Sequence, residues 1–161
     1  MRADCLSVLR SLTIAVTLLA GASVGQAQTV VRRDSVEAKP GPATTFTGRV
    51  TVRMLTSPTP PGQAGTALVG FSPGARSNWH THPAGQTLYV TQGCGWTQKD
   101  GGPVARICQG DTVYVKPGVR HWHGATTMTG MSHLAISETL AGQNVTWLEP
   151  VTDAQFKGPP R

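Results

Sequence analysis

Beyond its first 27 residues this chain has no segment with the apolar spacing of an amphipathic helix, which argues against a helical bundle. Charge is also scarce: Asp, Glu, Lys and Arg make up 14% of the 161 residues. Aromatic residues reach only 6%. The basic residues (Arg32, Arg33, Arg49, Arg53, Arg76, Arg106, Arg120) are scattered and not interleaved with stacking aromatics, so a nucleic-acid-binding surface is excluded. No long hydrophobic run occurs. The longest, Leu12 to Ala20, is too short to span a bilayer. Of three cysteines, none follows that run closely enough to carry a lipid, which excludes a lipoprotein.

What is present at the N-terminus reads as a secretory leader, residues 1–27. Arg2 and Arg10 give it a basic start, Leu12 to Ala20 an apolar core, and Gly25-Gln26-Ala27 small residues before a cut at Gln28. Export to a bacterial periplasm is the expectation, with no membrane attachment after cleavage. Removing Arg2, Arg10 and Asp4 from 14 basic and 8 acidic side chains leaves 12 and 7, a net charge of +5. Such a surface attracts small anions.

Glycine (19) and proline (12) are plentiful and punctuate short β-rich runs. Residues 28–45 read as a loose arm that lies on a partner subunit. Strands are expected at 46–55, 66–71, 79–82, 87–96 (interrupted by glycines around Cys94), 103–108, 112–115, from His121, 130–137 and 145–148. Thr152 to Phe156 is expected to make one helical turn, and 157–161 a loose tail. Many short strands between turns predict an all-β, single-domain jelly-roll barrel over 46–156. Lys99-Asp100-Gly101-Gly102 reads as a hairpin turn. Centred near Gly101, it sets Cys94 opposite Cys108, within disulfide reach. The alternatives are a bridge in an oxidising compartment or two buried reduced thiols.

All five histidines fall between positions 80 and 133. His80 and His82 are two apart, so on a strand they share a face. Gln86 follows a break at Pro83 and Gly85, where a turn can return its side chain to the pair. Gly110 to His123 supplies the facing wall, with His121. Three imidazoles and an amide oxygen on one point read as a metal site with an open position. With glutamine at 86, the donor set carries no negative charge, and a bound ion keeps both of its own. Gln86 either ligates or hydrogen-bonds a ligand. His123 is either a reactive base or a supporting residue at the rim. His133, on a later strand among small residues, is the favoured base.

Gly74, His80, His82, position 86 and Gly93 resemble the first motif of the cupin family, with Gln86 in place of its glutamate. Gly110, Gly118 and His121 resemble the second, with the proline moved to Pro117 and Ala125 where the motif ends in asparagine. Trp79-His-Thr-His-Pro-Ala-Gly-Gln86-Thr87, Gly93-Cys-Gly-Trp96, His121-Trp-His-Gly124, His133-Leu-Ala-Ile136 and Val151-Thr-Asp153 are similar to the bacterial cupin-type hydroxynitrile lyases. That resemblance implies a manganese-dependent enzyme making or cleaving (R)-mandelonitrile (Fe, Zn, Co and Ni are the other candidate ions). It implies His80, His82, Gln86 and His121 as metal ligands and His133 as acid/base; in the mechanism these residues suggest, His123 or His133 reprotonates the departing cyanide. It sets Ala67, Val69, Ser77 and Ser137 in the substrate pocket. A small-molecule substrate and a homodimer or homotetramer are implied with it. Two other readings use the same site: a metal-dependent dioxygenase on a small organic substrate, and a non-catalytic barrel that binds a small anion.

Overall fold

Alternation of β-branched and polar residues between Gly and Pro breaks produces, among the described residues, twelve antiparallel strands, most of them short. In chain order they are β1 Lys39–Pro40, β2 Phe46–Thr47, β3 Val50–Thr56, β4 Ala64–Phe71, β5 Arg76–Ser77, β6 His80–Thr81, β7 Gln86–Lys99, β8 Ala105–Cys108, β9 Thr112–Val115, β10 His121–Ala125, β11 Met131–Glu138 and β12 Thr146–Trp147. The computed structural model describes residues 28–159. The expected leader and its cut before Gln28 therefore lie at or outside the edge of the described residues. Among these the one helical element is a 3₁₀ turn at Arg33–Ser35.

The strands curl into the expected all-β jelly roll. One layer runs β1–β3–β4–β11–β7–β9 and the other β2–β5–β10–β7–β8, with β6 on β10 and β12 on β6. β7 threads both layers. Its first half pairs with β11 and β9, its second with β10 and β8. The glycines near Cys94 were expected to interrupt this strand. Instead the strand is continuous and bends there. Gly93 has φ 71°, and a Cβ on it would lie 2.2 Å from the Gly130 carbonyl, so only glycine fits the corner. A bulge beside it leaves Thr91 unpaired between Gln92, opposite Ser132, and Val90, opposite His133.

Two further expectations are corrected. Phe46 to Leu55 is not one strand: the chain turns at Gly48, φ 82°, and β2 and β3 join different layers. The N-terminal arm is not loose throughout. Lys39 and Pro40 pair with Val52 and Thr51, and Gly41 donates its N–H to Val50 at 2.9 Å. Pro40 is tolerated because β1 is an edge strand with no outer neighbour to lose. At Thr152 to Phe156 the chain makes a single hydrogen-bonded turn and no helix, closed by Phe156 N–H on the Thr152 carbonyl at 2.8 Å.

Val50, Val69, Phe71, Val90, Ile107, Ala125 and Met131 fill the space between the layers. A second cluster, Trp79, Trp122, Val151 and Phe156, covers the other face of β10. Period two explains the division: Trp79 and Trp122 alternate with His80, His121 and His123. The tryptophans anchor the outer face while the imidazoles point inward. Each fully buried apolar side chain of this size stabilises the fold by about 1.5–3 kcal/mol. Arg76 fastens the covering segment, donating Nε–H and Nη2–H to the Val151 carbonyl at 3.0 and 2.9 Å. On the hairpin, Cys94 stands opposite Cys108, in the register that symmetry about Gly101 predicts, with the sulfurs at bonding distance.

Candidate metal centre

β6, β7 and β10 bring three histidines and a glutamine together inside the barrel. His80 begins β6 and is paired with His121, which begins β10. His82 follows β6. Gly85, at φ 86°, donates its N–H to the His82 carbonyl at 3.2 Å, and this turn sends Gln86 into β7 beside the pair. His80, His82 and His121 each offer a nitrogen within 4.8 Å of the others, and all three are buried. Gln86 Oε1 lies 3.0 Å from His121 Nε2.

Hydrogen bonds behind the rings decide which nitrogen faces inward. His80 Nδ1 is 2.9 Å from the Asn78 carbonyl, His82 Nδ1 2.7 Å from that of Asn144, and His121 Nδ1 3.0 Å from that of Val119. A carbonyl only accepts, so each Nδ1 carries the proton and donates it. Every Nε2 is left with a lone pair, the form in which imidazole binds a metal. Burial pushes all three pKa values down. His121 falls to about 4, and His80 well below the usual histidine value, with the His121 charge adding to the effect. The rings are therefore neutral at pH 7.

As the rings and the Gln86 amide are placed, His82 Nε2 and the His121 Nε2–Gln86 Oε1 contact lack a proton donor. His82 Nε2 is buried with no hydrogen-bond partner among the described residues. His121 Nε2 and Gln86 Oε1 turn lone pairs toward each other at 3.0 Å. Buried acceptors without a donor are costly, and a cation among them removes that cost. The donor set fits a divalent ion.

The pattern of a cupin domain matches residues 67–137. An (R)-mandelonitrile lyase from Granulicella tundricola is 53% identical over 117 residues, 73% of this chain and 89% of that protein. This chain belongs to the cupin superfamily. A solved cupin-like protein from Thermotoga maritima superposes with a TM-score of 0.70 at 39% identity, over 73% of this chain and 89% of that one. A cupin-2 domain protein from Rhodospirillum rubrum has the same fold at 18% identity, with a TM-score of 0.61 over 80% and 83% of the two chains.

Beside the triad this cupin holds a second histidine pair. His133 Nε2, from β11, and His123 Nδ1, from β10, are 3.1 Å apart and share one proton. Their other nitrogens, His133 Nδ1 and His123 Nε2, are buried without partners among the described residues. Burial lowers both pKa values, His133 to about 4; His123 is lowered further by the neighbouring His133. Phe71 packs against both rings.

A cavity of about 610 Å³ opens onto these groups. Ala67, Val69 and Ser137 line it with His80, His82, Gln86, His123 and His133. Ser77 stands apart: it is fully buried, is not a lining residue, and its Oγ accepts the His123 backbone N–H at 3.2 Å. It sets the position of His123 from behind.

Two residues escaped the sequence reading. Asn144 supplies the carbonyl behind His82. Trp147 lies over His80, ring centroids 4.8 Å apart. Neither carries a motif, because one acts through its main chain and the other through the pairing of β12 with β6.

Proposed function

We propose that this cupin is a metal-dependent carbon–carbon lyase that cleaves and forms cyanohydrins, converting (R)-mandelonitrile to benzaldehyde and cyanide. The observation that carries the reading is the 53% identity to an (R)-mandelonitrile lyase over 89% of that protein's length. The chemistry of the site supports it.

His80, His82, His121 and Gln86 hold the ion, with manganese preferred because an amide oxygen suits a harder cation. When bound, it supplies Lewis acidity toward the cyanohydrin oxygen. The apolar wall of Ala67, Val69 and Ala135 takes the phenyl ring. His133 accepts the hydroxyl proton at Nδ1, its unpartnered nitrogen. The proton shared with His123 at 3.1 Å lets the positive charge spread over both rings. The electron pair of the broken O–H bond forms the C=O bond. The C–CN bond breaks, and cyanide leaves with its electron pair. The histidine pair returns the proton, giving benzaldehyde and hydrogen cyanide. The reverse sequence builds the bond. Both rings start neutral, so the pair can accept a proton without first losing one.

Export belongs to the same proposal: a periplasmic enzyme beginning at Gln28, assembled as a homodimer or homotetramer. Mass spectrometry of the protein from periplasm and light scattering test those two points.

The function is tested by loading the chain from Gln28 with Mn²⁺, removing free metal, and following benzaldehyde release from mandelonitrile beside an oxygen electrode. Metal-dependent release without oxygen uptake is expected. No release, or release that tracks oxygen uptake, would sink the proposal.

A further inference from the structure

Ser137 and Asn144 are joined side chain to side chain. Ser137 Oγ–H donates to Asn144 Oδ1 at 3.3 Å. Oδ1 is engaged, and Nδ2 has no partner among the described residues. Both residues line the cavity in front of the candidate metal centre. The main chain of Asn144 is occupied separately, its carbonyl accepting Nδ1–H of His82 at 2.7 Å. One residue thus orients a candidate ligand from behind through its carbonyl and contributes to the cavity wall, its Nδ2–H left without a partner among the described residues.

The donor is held firmly before any ligand arrives. A reverse turn closed by Leu140 and Gln143 precedes it, with N–H to carbonyl distances of 2.9 and 3.0 Å. Gln143 Nε2 donates to Thr146 Oγ1 at 2.9 Å. β12 then pairs Thr146 with Thr81 and Trp147 with His80. A donor fixed in this way spends nothing on reorganisation when charge develops near it.

The surroundings say what the donor meets. Among the described residues no carboxylate lines the cavity, and Lys39 is its one permanently charged residue. The four metal-site donors are neutral. An acceptor that gains negative charge is therefore favoured, and nothing anionic in the wall competes for the N–H.

We infer that Asn144 determines specificity at this site: its Nδ2–H donates to the nitrile nitrogen of the substrate and to the departing cyanide. The inference rests on the lyase reading above. Negative charge grows on that nitrogen as the C–CN bond breaks, so the hydrogen bond strengthens toward the transition state and acts on turnover as well as binding.

The test compares manganese-loaded wild type with Asn144→Ala and Asn144→Asp. Aspartate keeps an acceptor for Ser137 but replaces the donor with a carboxylate. Neither substitution removes the carbonyl behind His82. Three quantities are read: bound metal, the rise in Tm caused by azide (a linear anion close to cyanide in size), and kcat with KM on mandelonitrile. Metal content should stay at the wild-type level. The azide response should fall by more than half in Asn144→Ala and vanish in Asn144→Asp. Turnover should fall roughly 10- to 100-fold, less than for a fully buried oxyanion donor because Asn144 is only partly buried. An azide response and kcat within twofold of wild type in both variants would overturn the inference. Loss of metal from the variants would overturn it too, by making the side chain a support of the metal site. Wild type that responds to azide without cleaving mandelonitrile would remove the lyase reading; the azide comparison would then decide whether Asn144 serves an anion there.

Discussion

His80 and His121 face each other across the β6–β10 pair, and the same local device aims both rings. Each donates Nδ1–H to the carbonyl two residues before it, Asn78 for His80 and Val119 for His121. Their ring centroids are 4.1 Å apart. Two neutral rings this close, with lone pairs inward, need a cation between them to be at ease. His80→Ala or His121→Ala should weaken Mn²⁺ binding beyond the roughly 10–100-fold that loss of a supporting group costs. Elemental analysis after dialysis and the Mn²⁺-dependent rise in Tm measure this.

His133 lies outside the triad, so its removal should separate metal binding from chemistry. His133→Ala is expected to keep its metal and lose about 10²–10⁴-fold in turnover, the usual share of a general base. Unchanged turnover would refute its role.

Burial also makes His133 a liability in acid. Its folded pKa is depressed from 6.5 to about 4, chiefly by desolvation. Between those values the unfolded chain binds the proton and the folded one does not, so stability falls as pH drops from about 6.5 toward 4. Above 6.5 this group has no effect. Across the window the loss is on the order of 3 kcal/mol. Of the groups packed on His133, His123 is the titratable one and Phe71 is not. Urea unfolding of metal-free protein at pH 7 and 4.5 should show a steeper fall for wild type than for His133→Gln.

Arg76 and Asp153 form an ion pair, but Arg76 is 7% exposed and Asp153 96%. The carboxylate is so well solvated that Asp153→Asn should cost less than about 1 kcal/mol. Arg76→Ala also leaves the Val151 carbonyl without both of its donors and Phe156 without the guanidinium 4.5 Å above its ring. A loss of about 2–4 kcal/mol is expected, with faster proteolysis after Glu149. Equal losses in the two variants would show that the ion pair, not the carbonyl bonds, holds this segment.

Cys94 and Cys108 close a loop with a sequence separation of 14. Protein from an oxidising compartment should gain two mass units on reduction. A loop of this size is worth about 3 kcal/mol in chain entropy, so reduction should lower Tm. An unchanged mass would mean two free thiols.

The hairpin and the candidate metal site were readable because both are written in short-range spacing. The register about Gly101 follows from a turn and period two. His80 and His82 share a face for the same reason, and His121 lies beside them through strand pairing. The arm was misread because Lys39-Pro40-Gly41-Pro42 has loop composition. What makes it a strand is the free edge of β3, which no local pattern reveals. The split of Phe46 to Leu55 had a similar cause: each half alternates well, but only Gly48 lets the chain change layers.

By itself the sequence determined the all-β class, the hairpin register and the set of histidines, since period-two alternation and residue chemistry act over a few residues. The tertiary structure decided which nitrogen of each imidazole faces inward. The carbonyl of Asn144 reaches His82 across 62 residues of chain, and His133 meets His123 from another layer. Main-chain acceptors carry no side-chain signature, so tautomers, buried lone pairs and the position of Asn144 exist only once the strands are packed.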